Sequence, residues 1–149
     1  MPPLVQMRIE GLEELRDKLL KLKRVTGRKV VRKALNEASK PILRTAKAKV
    51  PVDTGLLRKS LGRKQKSYRG GRSVVIIGPR TGFKREVTVA GKKQVRNPAK
   101  YSHLVEFGTR RTAAKPFLRP AFDELLHQTV AAITNTIADG IEAEATKAK

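Results

Sequence analysis

Apolar and polar residues alternate at the start of the chain, and the spacing then becomes helical. Val5, Met7 and Ile9 alternate with polar residues, which predicts a short half-buried strand that ends at Gly11. From 12 to 24 the leucines recur at steps of three and four, with acidic residues early and basic residues late, as a helix dipole prefers. We therefore expect a strand followed by a helix.

A second helical pattern runs from Thr26, the expected N-cap, to the residue before Pro51, because a proline disfavours helix at its neighbour. Pro41 should kink or split this helix. The predicted buried stripe consists of Val31, Leu35, Ala38, Ile42 and Ala46.

The middle of the chain has β-strand patterns. Residues 72–79 form a β-branched run and 86–90 alternate, and 78–82 are expected to join the two as a hairpin. The segments 62–72 and 91–97 have the composition of basic loops.

Two helices are predicted towards the end of the chain. Asn97-Pro98 should open a short helix that ends at Gly108, a left-handed C′ position. Pro120 should occupy the first position of the last helix, and beyond Gly140 we expect a frayed tail. The buried face of that helix is expected to comprise Phe122, Leu126, Val130, Ile133 and Ile137.

These patterns together predict an α+β fold in which a small antiparallel sheet packs with three or four helices and carries long basic loops. With 149 residues and 39% hydrophobic content, we expect one domain over 1–140 and a frayed tail over 141–149. The chain has no Cys and two His, so we expect no disulfide, metal or cofactor. We expect a protein that folds in a reducing cytosol, with neither a secretion signal nor a membrane span.

The charge is strongly positive, with 34 Lys and Arg against 13 Asp and Glu, a net +21. From Thr54 to Phe122 there are 18 basic residues against Glu86 and Glu106. Such a field attracts polyanions. Aromatic residues make up only 4% of the chain, and no zinc finger, basic zipper or RNP motif is present. The charge is compatible with non-specific contact to DNA phosphates, whereas recognition of a particular base sequence is not supported.

Two segments raise the question of catalysis. Asp53-Thr54-Gly55 is the triplet of aspartic proteases, but it follows a helix and a proline, and four cations flank it (Arg58, Lys59, Arg63 and Lys64), so we interpret it as a structural turn in which Asp53 or Thr54 caps a short helix. His103 and Glu106 are three residues apart on one helical face, without a nucleophile or metal motif beside them, and we expect a surface ion pair or a hydrogen-bonded helix pair. We expect no enzyme activity.

Glu106 falls in the last turn of its helix, where a carboxylate is disfavoured by the helix dipole. We therefore expect it to pair with a cation. Arg110, Arg111 or a basic residue of a neighbouring subunit are the candidates.

Three stretches together resemble a known family: the Gly11-Leu-Glu-Glu-Leu helix, Val50-Pro-Val-Asp-Thr-Gly-Leu-Leu-Arg-Lys-Ser-Leu61, and Tyr101 to Thr109 followed by Lys115-Pro-Phe-Leu-Arg-Pro-Ala-Phe122. Their order and spacing are similar to those of the tail-completion, or head-tail joining, minor structural proteins of long-tailed double-stranded DNA bacteriophages and prophages. The resemblance covers about 8–138 of the chain.

The resemblance implies a non-enzymatic virion protein of the neck or tail-terminator type, made in the bacterial host cytoplasm, that forms a ring, expected to be a hexamer, between tail tube and head connector around the DNA channel. Glu106, Arg110 and Arg111 are then expected subunit contacts. The expected channel-facing or DNA-facing basic loops contain Arg63, Lys64, Lys66, Arg69, Arg72, Lys92, Lys93 and Arg96. The alternative is a small basic protein that binds DNA or RNA non-specifically through phosphates.

Overall fold

The computed structural model describes residues 24–147, so the predicted N-terminal strand and first helix lie outside the described residues. The described helices are α1 (Arg24–Lys49), α2 (Leu56–Ser60), α3 (Pro98–Phe107) and α4 (Leu118–Lys147). The strands are β1 (Leu61–Ser67), β2 (Ser73–Pro79), β3 (Arg85–Val89) and β4 (Lys92–Arg96), with a short 3₁₀ turn at Arg69–Gly71. The α+β prediction is confirmed.

Helix α1 is buried along one face that repeats every fourth residue. The buried positions are Val30, Ala34, Ala38, Ile42 and Ala46, followed by Val50 after the helix end. The predicted stripe is therefore confirmed in its second half, whereas at Val31 and Leu35 it is off by one and those side chains are half-buried. The small alanines let another helix approach closely.

Two predicted breaks in α1 are wrong. Thr26 lies inside the helix and so does not cap it. Pro41 also lies inside it without splitting it in two. In the turn before this proline, the carbonyl of Asn36 accepts a hydrogen bond from the guanidinium of Arg63 in strand β1. This part of the helix therefore has an additional tertiary hydrogen bond.

Helix α4 runs antiparallel along α1. One core cluster joins Ala46, Val50, Leu57, Leu61, Phe117 and Ala121, and a second cluster at the far end joins Val30, Ala34 and Ile137. An ion pair of 2.8 Å between Lys49 and Glu124 ties the same two helices together. The long pair α1–α4 is the scaffold on which the other elements sit.

Three predictions for α4 need correction. Phe122 is exposed, because Ala121 faces α1 in its place. Pro120 is the third residue of the helix, still within the first turn, where no backbone donor is needed. The chain beyond Gly140 stays helical to Lys147, since Ile141 packs on the second core cluster. The domain boundary at 140 stays a prediction.

The strands form two separate antiparallel hairpins, β1–β2 and β3–β4, instead of one sheet. The strands predicted at 72–79 and 86–90 are confirmed, but the hairpin predicted between them is wrong, since each pairs with a basic segment that had been assigned to a loop. The segments that pair with these two strands, 61–67 and 92–96, have few β-branched residues. Their strand conformation therefore comes from pairing with β2 and β3 and not from local propensity. Hairpin β1–β2 packs on α1, and β3–β4 contacts mainly itself.

Candidate assembly surface

Two of the stretches that carry the family resemblance meet around one open groove. Residues 51–57 form one wall, and Tyr101, Leu104 and Val105 of α3 form the other. Arg96 and four residues of the 109–115 segment complete the lining, and the cavity volume is about 480 Å³. We call this the assembly groove. The Asp-Thr-Gly turn and the Tyr101–Thr109 segment, separate in the sequence, therefore belong to one surface.

Gly55 takes the N-cap position of α2 with φ 69°, a left-handed conformation that other residues adopt at a cost. The Thr54 hydroxyl accepts a long hydrogen bond of 3.4 Å from the amide of Leu56, and no side chain caps α2 by the usual geometry. The predicted close turn at Gly55 is confirmed. The predicted capping role applies weakly to Thr54, and Asp53 is exposed at the groove.

The groove offers binding chemistry. Of the residues that line it, Asp53 is the single carboxylate, and no histidine is among them. A protease dyad needs two carboxylates in contact, which this lining does not supply. Partial burial raises the pKa of Tyr101, an effect that nearby Arg96 opposes and Asp53 reinforces. The phenol is therefore a neutral donor at the groove wall.

Glu106 follows the groove-lining Val105 in α3 and is the most informative polar residue of the site. Its carboxylate accepts three backbone hydrogen bonds: Oε2 from the amides of Phe117 at 2.9 Å and Leu118 at 3.0 Å, and Oε1 from Arg119 at 2.9 Å. These amides begin α4 and have no acceptor within that helix. Only 8% of the residue is exposed.

The expected partners of Glu106 are wrong. The carboxylate is disfavoured by the dipole of its own helix α3 but favoured by the positive N-terminal end of α4, which replaces the cation that we expected. Because it is buried, it cannot contact a neighbouring subunit. The predicted ion pair with His103 is also wrong, since His103 is exposed while Glu106 faces the start of α4.

The turn after α3 presents Arg110 and Arg111 to solvent. The Thr109 amide donates to the carbonyl of Thr112 at 2.8 Å, and the Thr109 hydroxyl accepts from the amides of Arg111 at 3.2 Å and Thr112 at 3.0 Å. We call residues 109–112 the arginine turn. Its hydrogen bonds fix the backbone, so the two arginines are held on a rigid support.

Gly108 lets the chain enter the arginine turn. Its φ of 76° favours glycine, but its ψ of −179° lies outside the left-handed helical region, so the predicted left-handed C′ conformation is wrong. A Cβ at this position would lie 2.7 Å from the amide nitrogen of Ala114. Both backbone conformation and space therefore require glycine here.

Three large apolar side chains on or next to the groove walls are exposed to solvent. Phe107 is 72% exposed, Val52 63% and Leu104 44%. Leu104 and Phe107 are three residues apart on α3 and so share a face. Exposed aromatic and arginine side chains near one groove are the composition that protein interfaces favour.

The predicted DNA-facing residues fall into different environments. Lys64 and Lys66 lie exposed on β1, Arg69 and Arg72 flank the 3₁₀ turn, and Lys92 and Lys93 lie exposed on β4. Arg63 is a correction. Its guanidinium folds back on α1 and donates to the Asn36 side chain at 3.0 Å and to Ser39 at 2.8 Å, so it does not project. Arg96 is half-buried and lines the groove.

The sequence analysis missed one structural cation. Arg80 donates from Nη2 to the carbonyl of Lys59 at 3.1 Å and from Nε to that of Ser60 at 3.3 Å, and its amide also donates to Ser60. These are carbonyls at the C-terminal end of α2, where a cation is favoured. One feature of the sequence could have indicated this contact of Arg80. Helix α2 ends without a capping residue, and a long basic segment lies close to it in the sequence.

Residues 13–108 match the profile of the HK97-gp10-like family, described as a bacteriophage HK97-gp10 tail component. The chain belongs to the HK97-gp10-like family. The matched range contains the Asp-Thr-Gly turn and ends at Gly108, so the resemblance noted for 115–122 lies beyond it. No curated protein and no solved structure matches the chain significantly.

Membership of the HK97-gp10-like family confirms the resemblance to phage tail proteins. The protein is a phage tail component and therefore a virion protein. Within residues 24–147, no helix is both long and apolar enough to cross a bilayer.

Proposed function

We propose that this HK97-gp10-like protein is a structural, non-enzymatic subunit of the phage neck, where a ring of copies joins the tail to the head connector around the DNA channel. The observation that carries the proposal is the exposed surface made by Phe107, Arg110 and Arg111 beside the assembly groove. Family membership supplies the context of the tail. The partners are then other copies of the chain, the tail tube and the connector.

The surface suits an assembly contact for a physical reason. Phe107 adds a large apolar area that is solvated in the single chain, and burying it against a neighbour is favourable by ~25 cal/mol per Å². Arg110 and Arg111 stand on a rigid turn, so little conformational entropy of the backbone is lost when they are bound. A contact between this surface and a different surface of the next copy closes into a ring when the rotation permits, and we expect six subunits.

Native mass spectrometry of the nuclease-treated protein at moderate and high ionic strength tests the ring directly. The wild type is expected to give a closed oligomer of about six copies by the symmetry argument. Phe107→Ser should shift it to monomers, because it removes the apolar anchor from an exposed site without altering the core.

The matched control is Phe122→Ser, which removes another exposed phenylalanine, one that lies on α4 and outside the proposed contact surface. It should assemble like the wild type. A wild type that stays monomeric at every ionic strength contradicts the ring. Equal loss of assembly in both variants contradicts the assigned surface. A monomer that collects nucleic acid only at low salt would favour the alternative, a phosphate-binding protein.

A further inference from the structure

The solvent face of α1 carries a row of cations that the analysis of charge along the sequence did not single out. Basic residues recur along this face at steps of about four positions, and all are exposed. We call this row the basic ridge; it consists of Arg28, Lys29, Arg32, Lys33, Lys40 and Arg44. At 1.5 Å per residue the ridge is ~24 Å long, and its steps are ~6 Å apart except for a gap of ~10 Å between Lys33 and Lys40, where Asn36 and Glu37 lie.

Hairpin β1–β2 braces the ridge from one side. Gln65 donates from Nε2 to the backbone carbonyl of Arg32 at 2.8 Å, and Arg63 donates to Asn36 and Ser39. Between α1 and β1 lies a shallow cleft of about 290 Å³, lined by Lys29, Arg32, Lys33, Asn36 and Gln65. Three cations therefore share one cleft with two amide side chains, on a helix that the hairpin holds in place.

Acidic residues offset only part of this charge. Glu37 is the one carboxylate within α1, and it pairs with Lys40, whose hydrogen bond lowers the pKa of Glu37. On the other side, Asp139 and Glu144 of α4 share a cleft with Lys29 and Lys33. Arg28, Arg32 and Arg44 do not line that cleft. Among the described residues, none of these three arginines forms an ion pair.

The chemistry of the ridge favours phosphates over bases or protein. Helix α1 contains no aromatic residue, so it can neither stack on exposed bases nor supply the aromatic anchor typical of a protein hot spot. Two groups of cations along one helix present several positive charges to a polyanion, and a duplex backbone carries dense, regular negative charge.

We propose that the basic ridge of α1 binds the phosphate backbone of duplex DNA without reading its sequence. The inference rests on the proposed function only for the source of the DNA, which is the channel that the neck surrounds. It places the DNA contact on a helix, and not on the basic segments 62–72 and 91–97.

Fluorescence anisotropy with a labelled duplex of random sequence, titrated from low to moderate NaCl, tests the ridge on the full chain. The variant Arg28→Gln/Arg32→Gln/Arg44→Gln should bind at least ~10-fold more weakly, and the slope of log K against log salt should fall by up to ~2.7, the value for three lost phosphate contacts. The control Lys84→Gln/Lys92→Gln/Lys93→Gln removes the same charge from exposed positions on and beside hairpin β3–β4. It should change affinity and slope much less.

Three results would overturn the proposal. Equal losses of affinity in both variants would show that only net charge matters, and a larger loss in the control would assign the DNA contact to the hairpin. The third is a wild type that does not bind the duplex at low salt. Poly-L-glutamate at equal charge concentration should displace the duplex less well than unlabelled duplex does. Equal displacement would assign the ridge to acidic surfaces in general and would also overturn it. Native mass spectra of the same variants report ring assembly separately, so failure of either proposal is recognised independently.

Discussion

A single side chain, Glu106, decides how the end of α3 is joined to the start of α4. Its carboxylate satisfies three amides that would otherwise lack partners, and the helix dipole compensates part of the cost of burying its charge. The negative charge of Glu106 is thus unfavourable at the end of α3 but stabilises the start of α4.

Replacing Glu106 with Gln should lower the free energy of unfolding by about 2 kcal/mol or more, because a neutral amide accepts weaker hydrogen bonds and its NH₂ group faces a backbone donor. Urea unfolding followed by circular dichroism measures this change. Glu124→Gln is the control, since Glu124 lies in the early part of α4 but forms a surface ion pair, and it should change stability by ~0.5 kcal/mol or less. A loss for Glu106→Gln no larger than that of the control would contradict the capping role.

Half of this contact was predictable from the sequence. A carboxylate in the last turn of α3 signalled that an unusual partner was needed, and α4 begins after Lys115-Pro116-Phe117 without a Ser, Thr, Asp or Asn to cap it. An uncapped helix start and a misplaced carboxylate are complementary. The sequence analysis matched the carboxylate to nearby arginines instead, because ion pairs are the local solution and a contact eleven residues away depends on the fold.

At the scale of elements, the closest approach between α1 and α4 occurs at Gly140. A Cβ at Gly140 would lie 2.5 Å from Cγ1 of Val30. The sequence analysis treated this glycine as the end of the ordered chain, since glycine often follows a helix. In the structure it lies inside α4, where its missing side chain leaves room for the other helix.

Gly140→Ala should destabilise the protein by about 1 kcal/mol, because an overpacking cost of ~1–3 kcal/mol exceeds the gain of ~1 kcal/mol in helix propensity. The same substitution in a Val30→Ala background should be neutral or stabilising, since the colliding methyl groups are gone. Thermal unfolding of the four proteins gives the coupling. Additive effects of the two substitutions would rule out the steric explanation.

The elements themselves were predicted with uneven success, for a consistent reason. Helices α1 and α4 follow from apolar spacing alone, and β2 follows from its β-branched residues. Strands β1 and β4 are basic and carry no such pattern, so only their pairing with β2 and β3 makes them strands. The hairpin proposed between β2 and β3 used sequence proximity to select partners, whereas each strand pairs with the neighbour on its other side.

At the scale of the whole molecule, net charge is the dominant property. The +21 charge raises the free energy of the compact state through self-repulsion, and only four ion pairs are formed among residues 24–147. This charge was evident from composition. The row of cations along one face of α1 was not evident, because the same helix also contributes the buried alanines, and only the fold separates the two faces.

Raising NaCl from low concentration to ~0.15 M should therefore increase the thermal midpoint of the free protein, since the Debye length falls to ~8 Å and repulsion between surface cations is screened. Differential scanning calorimetry of nucleic-acid-free protein measures the shift. Glucose at matched osmolality is the uncharged control and should give a smaller change. A midpoint that falls as salt rises would mean that attractive surface pairs outweigh repulsion.

The cap at Glu106 also has a mechanical consequence. The segment from Gly108 to Phe117 is fixed at both ends, by α3 before it and by the carboxylate bonds at the start of α4, and Lys115 is tied to Val105 by a backbone hydrogen bond of 2.9 Å. It is therefore a strut and not a hinge. In the proposed assembly, a partner that pulls on Arg110 or Arg111 transmits its load through this strut into the long helix pair.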